Sequence, residues 1–263
     1  MTRRFRRFIF LIFAIFFVVS SIIVILFAQG YRFSFDSLKI TKTGGIFIKT
    51  STDGAKIYIN DKYVESTSGI LSHSTLISGL TPKNYNVFIY KESYYPWNKT
   101  VEVKNGMVAE LNNIILFPLE LKKNKIVELP SHLNATSSEE VISPDKNKKL
   151  YTLNNQIWIE YLNDIKKEPV KNAGEKELVA IYNSPVIFFD WFNDSEHLIW
   201  FADGELTIAE LDNRGGKRNS IKFYLNIDLP VFWDRDNSDF YFFEKSLPAQ
   251  AGTEKNTLYK IEF

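Results

Sequence analysis

Apolar positions along this 263-residue chain follow two separate patterns. Residues 8–28 form an unbroken apolar run without charge, Pro or Gly, and only Ser20 and Ser21 in it are polar. As a helix rising about 1.5 Å per residue, the run spans about 32 Å, close to the roughly 30 Å hydrocarbon core of a bilayer. From Gly44 onward the period changes to two. Ile46, Ile48 and Thr50 alternate with Phe47 and Lys49, Ala55, Ile57 and Ile59 with Lys56 and Tyr58, and Tyr85, Val87 and Ile89 with Asn86 and Phe88. Alternation of this kind predicts half-buried strands. Turn residues at Thr52-Asp53-Gly54, Asn60-Asp61, Gly79-Leu80-Thr81-Pro82 and Asn105-Gly106 punctuate it. The pattern predicts an all-β protein with one N-terminal transmembrane helix. A basic stub (1–7) precedes the helix (8–28). A juxtamembrane tether (29–43) follows it and would reach about 50 Å if fully extended. A small antiparallel β-sandwich is expected over 44–117 and a second β unit over 119–263, with Pro118 at the seam.

The second unit repeats itself. Ser143-Pro144-Asp145, Phe192-Asn193-Asp194 and Asp234-Arg235-Asp236 each lead into an apolar strand, a second turn and an alternating strand. Asp145, Asp194 and Asp236 mark equivalent turns, and the later turns follow the aromatic steps Trp191-Phe192 and Phe232-Trp233. A unit of roughly 40–50 residues with about four strands has the size of a propeller blade. The segments resemble the blades of TolB/WD-type β-propellers, and Ser143-Pro144-Asp145 fits that turn best, with Asn193 and Arg235 replacing its Pro in the other copies. The resemblance implies incomplete β-propeller-like blades: three units, and part of a fourth before Ser143. Propellers usually close with four to eight blades. The expected result is therefore an open stack, a stack closed through its edges by another copy or a partner, or a shortened relative.

Within 44–117 a second resemblance is carried by the Thr52-Asp53-Gly54-Ala55 turn between alternating strands, by Ile77-Ser78-Gly79-Leu80-Thr81-Pro82, by the strand through Tyr85, and by Tyr94-Tyr95-Pro96-Trp97. In this order they resemble a PEGA domain, a family named for a Pro-Glu-Gly-Ala turn, of which Gly54 and Ala55 are kept. Two glycines of the family are replaced here by Asn84 and Ser93. The resemblance implies a small β-sandwich of prokaryotic envelope proteins, placed near a membrane or beside other modules, and it does not imply an enzyme.

Charge orients the anchor. Arg3, Arg4, Arg6 and Arg7 precede the apolar run, and Gln29-Gly30-Tyr31 follows it, so the positive-inside rule places the N-terminus in the cytoplasm and the body outside. Tyr31, Phe33 and Phe35 are expected at the outer headgroup layer. The rival reading, a cleaved signal peptide, calls for a shorter apolar region and small residues before the cut, where this chain has Leu26. The net charge is +1 with the four arginines and −3 without them, which gives no basic field for nucleic acid. The chain has no Cys, which excludes disulfides, thiolate nucleophiles and Cys-ligated metals.

Chemistry-bearing motifs are sparse. His73, His132 and His197 have no metal-ligand spacing, and His197 reads as a surface residue of a turn. Gly215-Gly216-Lys217 reads as a hairpin turn rather than a phosphate loop. The run from Asp234 to Asp239 lacks the glycine and the distal Glu of a calcium loop. Asn98-Lys99-Thr100 and Asn134-Ala135-Thr136 match the glycosylation acceptor pattern, which is idle in a prokaryote. No catalytic residue, cofactor or metal site is expected. Trp97 is expected to cap the sandwich core, as its position in the resemblance implies; the alternative is that Tyr94, Tyr95 and Trp97 form a binding surface, because aromatics beside Pro can stack on sugars or dock a peptide. The function expected is a non-enzymatic binding or scaffold module of the cell envelope. Its partners would be the bilayer through residues 8–28 and a protein or cell-wall polymer, with no nucleic acid. Alternatives are a hydrolase using carboxylates such as Asp194 or Asp236, and a sensor ectodomain that works with a membrane partner.

Overall fold

A computed structural model describes residues 3–34, 38–67, 74–133, 139–244 and 257–263. His73, Asn134, Thr136 and Phe35 lie outside these residues. The helix α1, Arg3–Ala28, is long and apolar enough to cross a membrane, and none of its residues is buried against the body. Ser20 and Ser21 donate their hydroxyls to Phe16 O and Phe17 O one turn back, at 2.8 and 2.7 Å, so they satisfy their own helix.

The tether over 29–43 contains a hairpin of β1, Tyr31–Ser34, and β2, Lys39–Lys42. Its ends are closed by Thr43 N–H donating to Gly30 O at 2.8 Å. A reach of about 50 Å is thus not used. Arg32 fixes the hairpin to the helix. Its guanidinium lies 3.3 Å from the Phe27 ring centroid and donates to Phe27 O at 2.8 Å, a carbonyl at the end of α1 that also accepts Gly30 N–H at 3.1 Å.

The first β unit is a two-sheet sandwich of seven strands. They are β3 (Gly44–Thr50), β4 (Lys56–Ile59), β5 (Lys62–Ser66), β6 (Ser74–Leu80), β7 (Lys83–Tyr90), β8 (Trp97–Val103) and β9 (Val108–Ile114). One sheet has the order β6-β3-β9 and the other β5-β4-β7-β8. Ile46, Ile48, Ile57, Val87, Ile89, Val101 and Leu111 fill the core between them. The sandwich is not wholly antiparallel, since β3 pairs with β9 in parallel. Alternation fixes which face of a strand is buried but carries no information on strand direction. Gly54 has φ +68°, which brings Ala55 wholly inside, and the buried hydroxyl of Thr67 holds the turn by accepting from Ala55 N–H and donating to Thr52 O. Ser93 keeps the left-handed conformation, φ 67°, at the position of a family glycine, whereas Asn84 lies within β7.

The second unit consists of three four-stranded antiparallel sheets, and none closes into a barrel. Its strands are β10 (Lys123–Lys125), β11 (Glu140–Ile142), β12 (Lys148–Leu153), β13 (Gln156–Tyr161), β14 (Lys176–Ile181), β15 (Phe188–Trp191), β16 (His197–Ala202), β17 (Glu205–Glu210), β18 (Ser220–Tyr224), β19 (Ile227–Asp234), β20 (Asp239–Glu244) and β21 (Thr257–Glu262). The sheets are β11-β12-β13-β14, β15-β16-β17-β18 and β10-β21-β20-β19. Of the two strands before Ser143, β11 belongs to the first of these sheets, and β10 is not the start of a fourth. It completes the last one, with Lys123 opposite Ile261. The middle sheet is packed on both faces. Ile199, Phe201 and Ile208 meet the last sheet, while Leu198, Trp200 and Ala209 meet the first.

The repeated turns differ in one respect. Asp145 Oδ1 accepts Asn147 N–H, and Asp194 Oδ1 accepts Glu196 and His197 N–H. In the third turn this role passes from Asp236 to Asp234, whose Oδ1 accepts the N–H groups of Asp236 and Asn237. The left-handed residue, one after Asp145 and Asp194 in the first two turns, stands two after Asp236 in the third, at Ser238.

Candidate functional site

The seam between the two β units carries the most chemistry. On β8 the period of two sets Trp97, Lys99, Val101 and Val103 on one buried face. Val101 and Val103 fill the sandwich core, while Trp97 and Lys99 also reach into the second unit. The Lys99 side chain is 0% exposed. Its Nζ lies 2.5 Å from Glu210 Oε1 and 3.5 Å from Asp212 Oδ1, and it also donates to Asp212 O. Trp97 Nε1–H donates to the other Glu210 oxygen at 2.8 Å. Asn219 completes the shell of Glu210 through its backbone N–H at 3.1 Å and its side-chain Nδ2 at 2.6 Å. A buried carboxylate with this many donors, one of them a cation, is the arrangement in which burying charge is tolerated.

Beside this pair, the turn Arg214–Gly216 lies flat on β8. Gly215 has φ +75°, and a Cβ there would stand 2.9 Å from Thr100 O, so the contact requires glycine. Arg214 forks onto Asp212, with Nη2 2.7 Å from Oδ2, and Nη2 also donates to Glu110 O at 2.7 Å. Burial pushes the Asp212 carboxyl up. The Arg214 hydrogen bond and the charges of Lys99 and Arg214 outweigh this and hold it below the usual range. An apolar contact continues the seam, with the Phe117 ring 6.0 Å from Phe192 and 6.1 Å from Phe263, and Tyr95 5.9 Å from Phe223.

The aromatic cluster that the sequence offered as a binding surface is part of this seam. Trp97 is 4% exposed and bonded to Glu210, Tyr95 packs against the second unit's core, and Tyr94 packs against the sandwich core. Trp97 and Tyr95 are thus engaged by the chain's own second unit, and Tyr94 by the sandwich. His197 is likewise not a surface residue. It is buried against Phe117 and Phe192, with Nδ1 2.6 Å from Asp194 Oδ2. A turn position suggested solvent, but both faces of β16 are covered. Asp194 is thus engaged twice, in capping its turn and in holding His197. His132 pairs with Asp234 at 3.2 Å.

A polar groove of about 430 Å³ opens along one side of the seam, walled by β9 and by the loop after β13. A neighbouring cleft of about 460 Å³ shares Glu168, Pro169 and Arg214 with it. Glu168 straps the two units together where the cavities meet, 2.6 Å from Lys104 and 3.9 Å from Arg214. Lys148 lies in the groove wall, 3.1 Å from Asp145 and 3.0 Å from Glu196. Burial pushes Glu196 up despite Lys148. Burial also acts upward on Asp145, but the Ser143 hydroxyl, Asn147 N–H and Lys148 bring it below its usual range. Asp164, Lys166 and Lys167 stand exposed on the rim. The walls mix both signs of charge with Asn112 and Asn113, which suits a polar ligand with donors and acceptors rather than a lipid tail. Among the described residues no group of three or more His, Asp or Glu is arranged to hold a metal.

Among the described residues Asp145, Glu175, Asp194, Glu205, Asp212 and Asp234 are held below their ordinary range, and together they set the acid limit. At Asp194 burial is outweighed by hydrogen bonding and charge from His197. Carboxyls lowered in the folded state stabilise it above their ordinary pKa near 4 and lose that contribution as pH falls through the folded values. The thermal midpoint of the detergent-solubilised chain is therefore expected to hold from neutral pH to about 5 and to drop below about 4. A drop that begins near pH 6 would assign control to another group.

Residues 43–115 match the PEGA domain family. The match covers the sandwich from just before β3 to just after β9 and stops short of the second unit. It suggests an extracytoplasmic module of binding type. No curated protein matches the chain.

Proposed function

We propose that the chain is a membrane-anchored envelope protein whose β body stands outside the cytoplasm as a non-enzymatic binding or scaffold module. In this reading α1 is retained rather than cleaved, with Arg3, Arg4, Arg6 and Arg7 inside. The three sheets of the second unit are kin to propeller blades, and the return of β10 to β21 ties their first and last strands together. The observation that carries the proposal is the bolted seam. Lys99, Trp97 and Glu210 join the two units into one body, and the groove runs beside that joint. A pre-formed, mixed-charge groove between two modules is a common form of binding site. Of the carboxylates named for hydrolysis, Asp194 is taken up by turn capping and by His197.

The partner proposed is a cell-wall polymer or a protein. The test pellets the full-length chain in detergent with purified cell-wall sacculi, beside a variant carrying Asp164→Asn, Lys166→Ala and Lys167→Ala on the groove rim. Wild type is expected to pellet, and the variant to bind at least about tenfold more weakly, a change of about 1.4 kcal/mol. If wild type stays in the supernatant, a photoreactive residue at position 166 should capture a protein in the envelope. Failure of both would overturn the proposal.

A further inference from the structure

The hairpin β1–β2 presents an apolar face that is largely exposed. Its register sets Tyr31 opposite Lys42 and Phe33 opposite Ile40, so these four residues share one face. Phe33 is 49% exposed and Ile40 62% exposed, and Leu38 beside them is exposed as well. The other face carries Ser34, which is buried, and Arg32, which reaches back to α1. Residues 31–42 carry three cations, Arg32, Lys39 and Lys42, against one acid, Asp36.

Position decides what this face meets. Arg32 Nη1 is 2.8 Å from Phe27 O, so β1 starts beside the last turn of the helix. Phe33 follows one Cα step later, about 3.8 Å away. The polar layer of each leaflet is about 5–8 Å thick. A bulky apolar pair held this close to the end of a membrane-crossing helix, in a segment whose three cations outnumber its single acid, Asp36, matches the headgroup–acyl boundary in both polarity and charge.

We propose that β1–β2 is an interfacial membrane element. Phe33 and Ile40 seat at the boundary of the leaflet from which the body emerges, and Arg32, Lys39 and Lys42 attract anionic headgroups. The inference rests on the reading of α1 as a retained anchor. It adds that the body does not swing on a free tether but is held against the bilayer by a second contact.

The chain has no cysteine, so a single introduced thiol is labelled specifically. Full-length Ile40→Cys and Tyr63→Cys, carrying an environment-sensitive fluorophore, are reconstituted into phosphatidylcholine–phosphatidylglycerol vesicles. Tyr63 is an exposed position on β5 and serves as the reference. The label at 40 is expected to emit to the blue of the label at 63. It should be quenched by a nitroxide carried on a lipid headgroup and resist a water-soluble quencher. If the chain stays with the vesicles through a carbonate wash but both labels respond alike to the aqueous quencher, the inference is overturned and the anchor reading stands. If the carbonate wash releases the chain, the anchor reading falls and the inference with it.

Discussion

Lys99→Met is expected to destabilise the β body by roughly 3–5 kcal/mol, the range for removing one partner of a buried ion pair. The wild-type ammonium is wholly enclosed and is shared between Glu210 and Asp212. Methionine retains most of the aliphatic stem, so the loss reports charge and hydrogen bonding rather than volume. Glu210 then stays buried with only the neutral donors of Trp97 and Asn219. At roughly 2–4 °C per kcal/mol for a body of this size, the midpoint should fall by about 6–20 °C. Adding Glu210→Gln removes the orphaned charge and is expected to recover part of the loss, because a buried pair is often little better than a neutral replacement. The measurement is thermal unfolding of wild type, both single variants and the double variant in detergent. A loss below about 1 kcal/mol in Lys99→Met would place the pair in the range of solvated surface bridges and remove the rigid seam on which the binding proposal stands.

Lys99 also marks the boundary of what the sequence makes legible. Its burial can be read locally: it lies two residues from Trp97 and two from Val101, on the inward face of a strand. Its partner cannot, because Glu210 belongs to another unit and no local pattern couples the two. Helix, strands and repeats were legible because each is written in a short period, a continuous apolar run for α1 and alternation for the sheets. Strand direction is not written that way, and so the parallel pairing of β9 with β3 was hidden. The same limit concealed β10, three exposed residues whose only signal is a partner at the far end of the chain. Trp97 lies in the sandwich core as expected, whereas His197, and the reach of Trp97 into the second unit, were missed for a related reason. A turn position implies solvent for His197 only while the units are considered apart, and docking brings both residues into the seam. The hairpin was missed because Phe33 and Ile40 have no buried face to alternate against.

The repeats also join one another by a device that the sequence displays only as recurring tryptophans. Trp191 is fully buried between the first and middle sheets, and its Nε1–H donates to Val141 O at 3.0 Å. Its own carbonyl accepts Trp233 Nε1–H, also at 3.0 Å, from the last sheet. One residue thus links all three sheets, through its side chain on one side and its backbone on the other. Trp191→Ala is expected to cost about 3–5 kcal/mol, as for other large-to-small changes in a packed core. Trp191→Phe keeps much of the volume but leaves Val141 O without its indole donor, and should cost about 1–3 kcal/mol. Trp233→Phe leaves Trp191 O in the same position and should fall in the same range. Urea unfolding of the three variants separates the two contributions. If Trp191→Phe loses as much as Trp191→Ala, the hydrogen bond rather than packing holds the sheets together. If Trp191→Phe matches wild type while Trp191→Ala still falls, the indole only fills space, and the stack is held by its apolar cores alone.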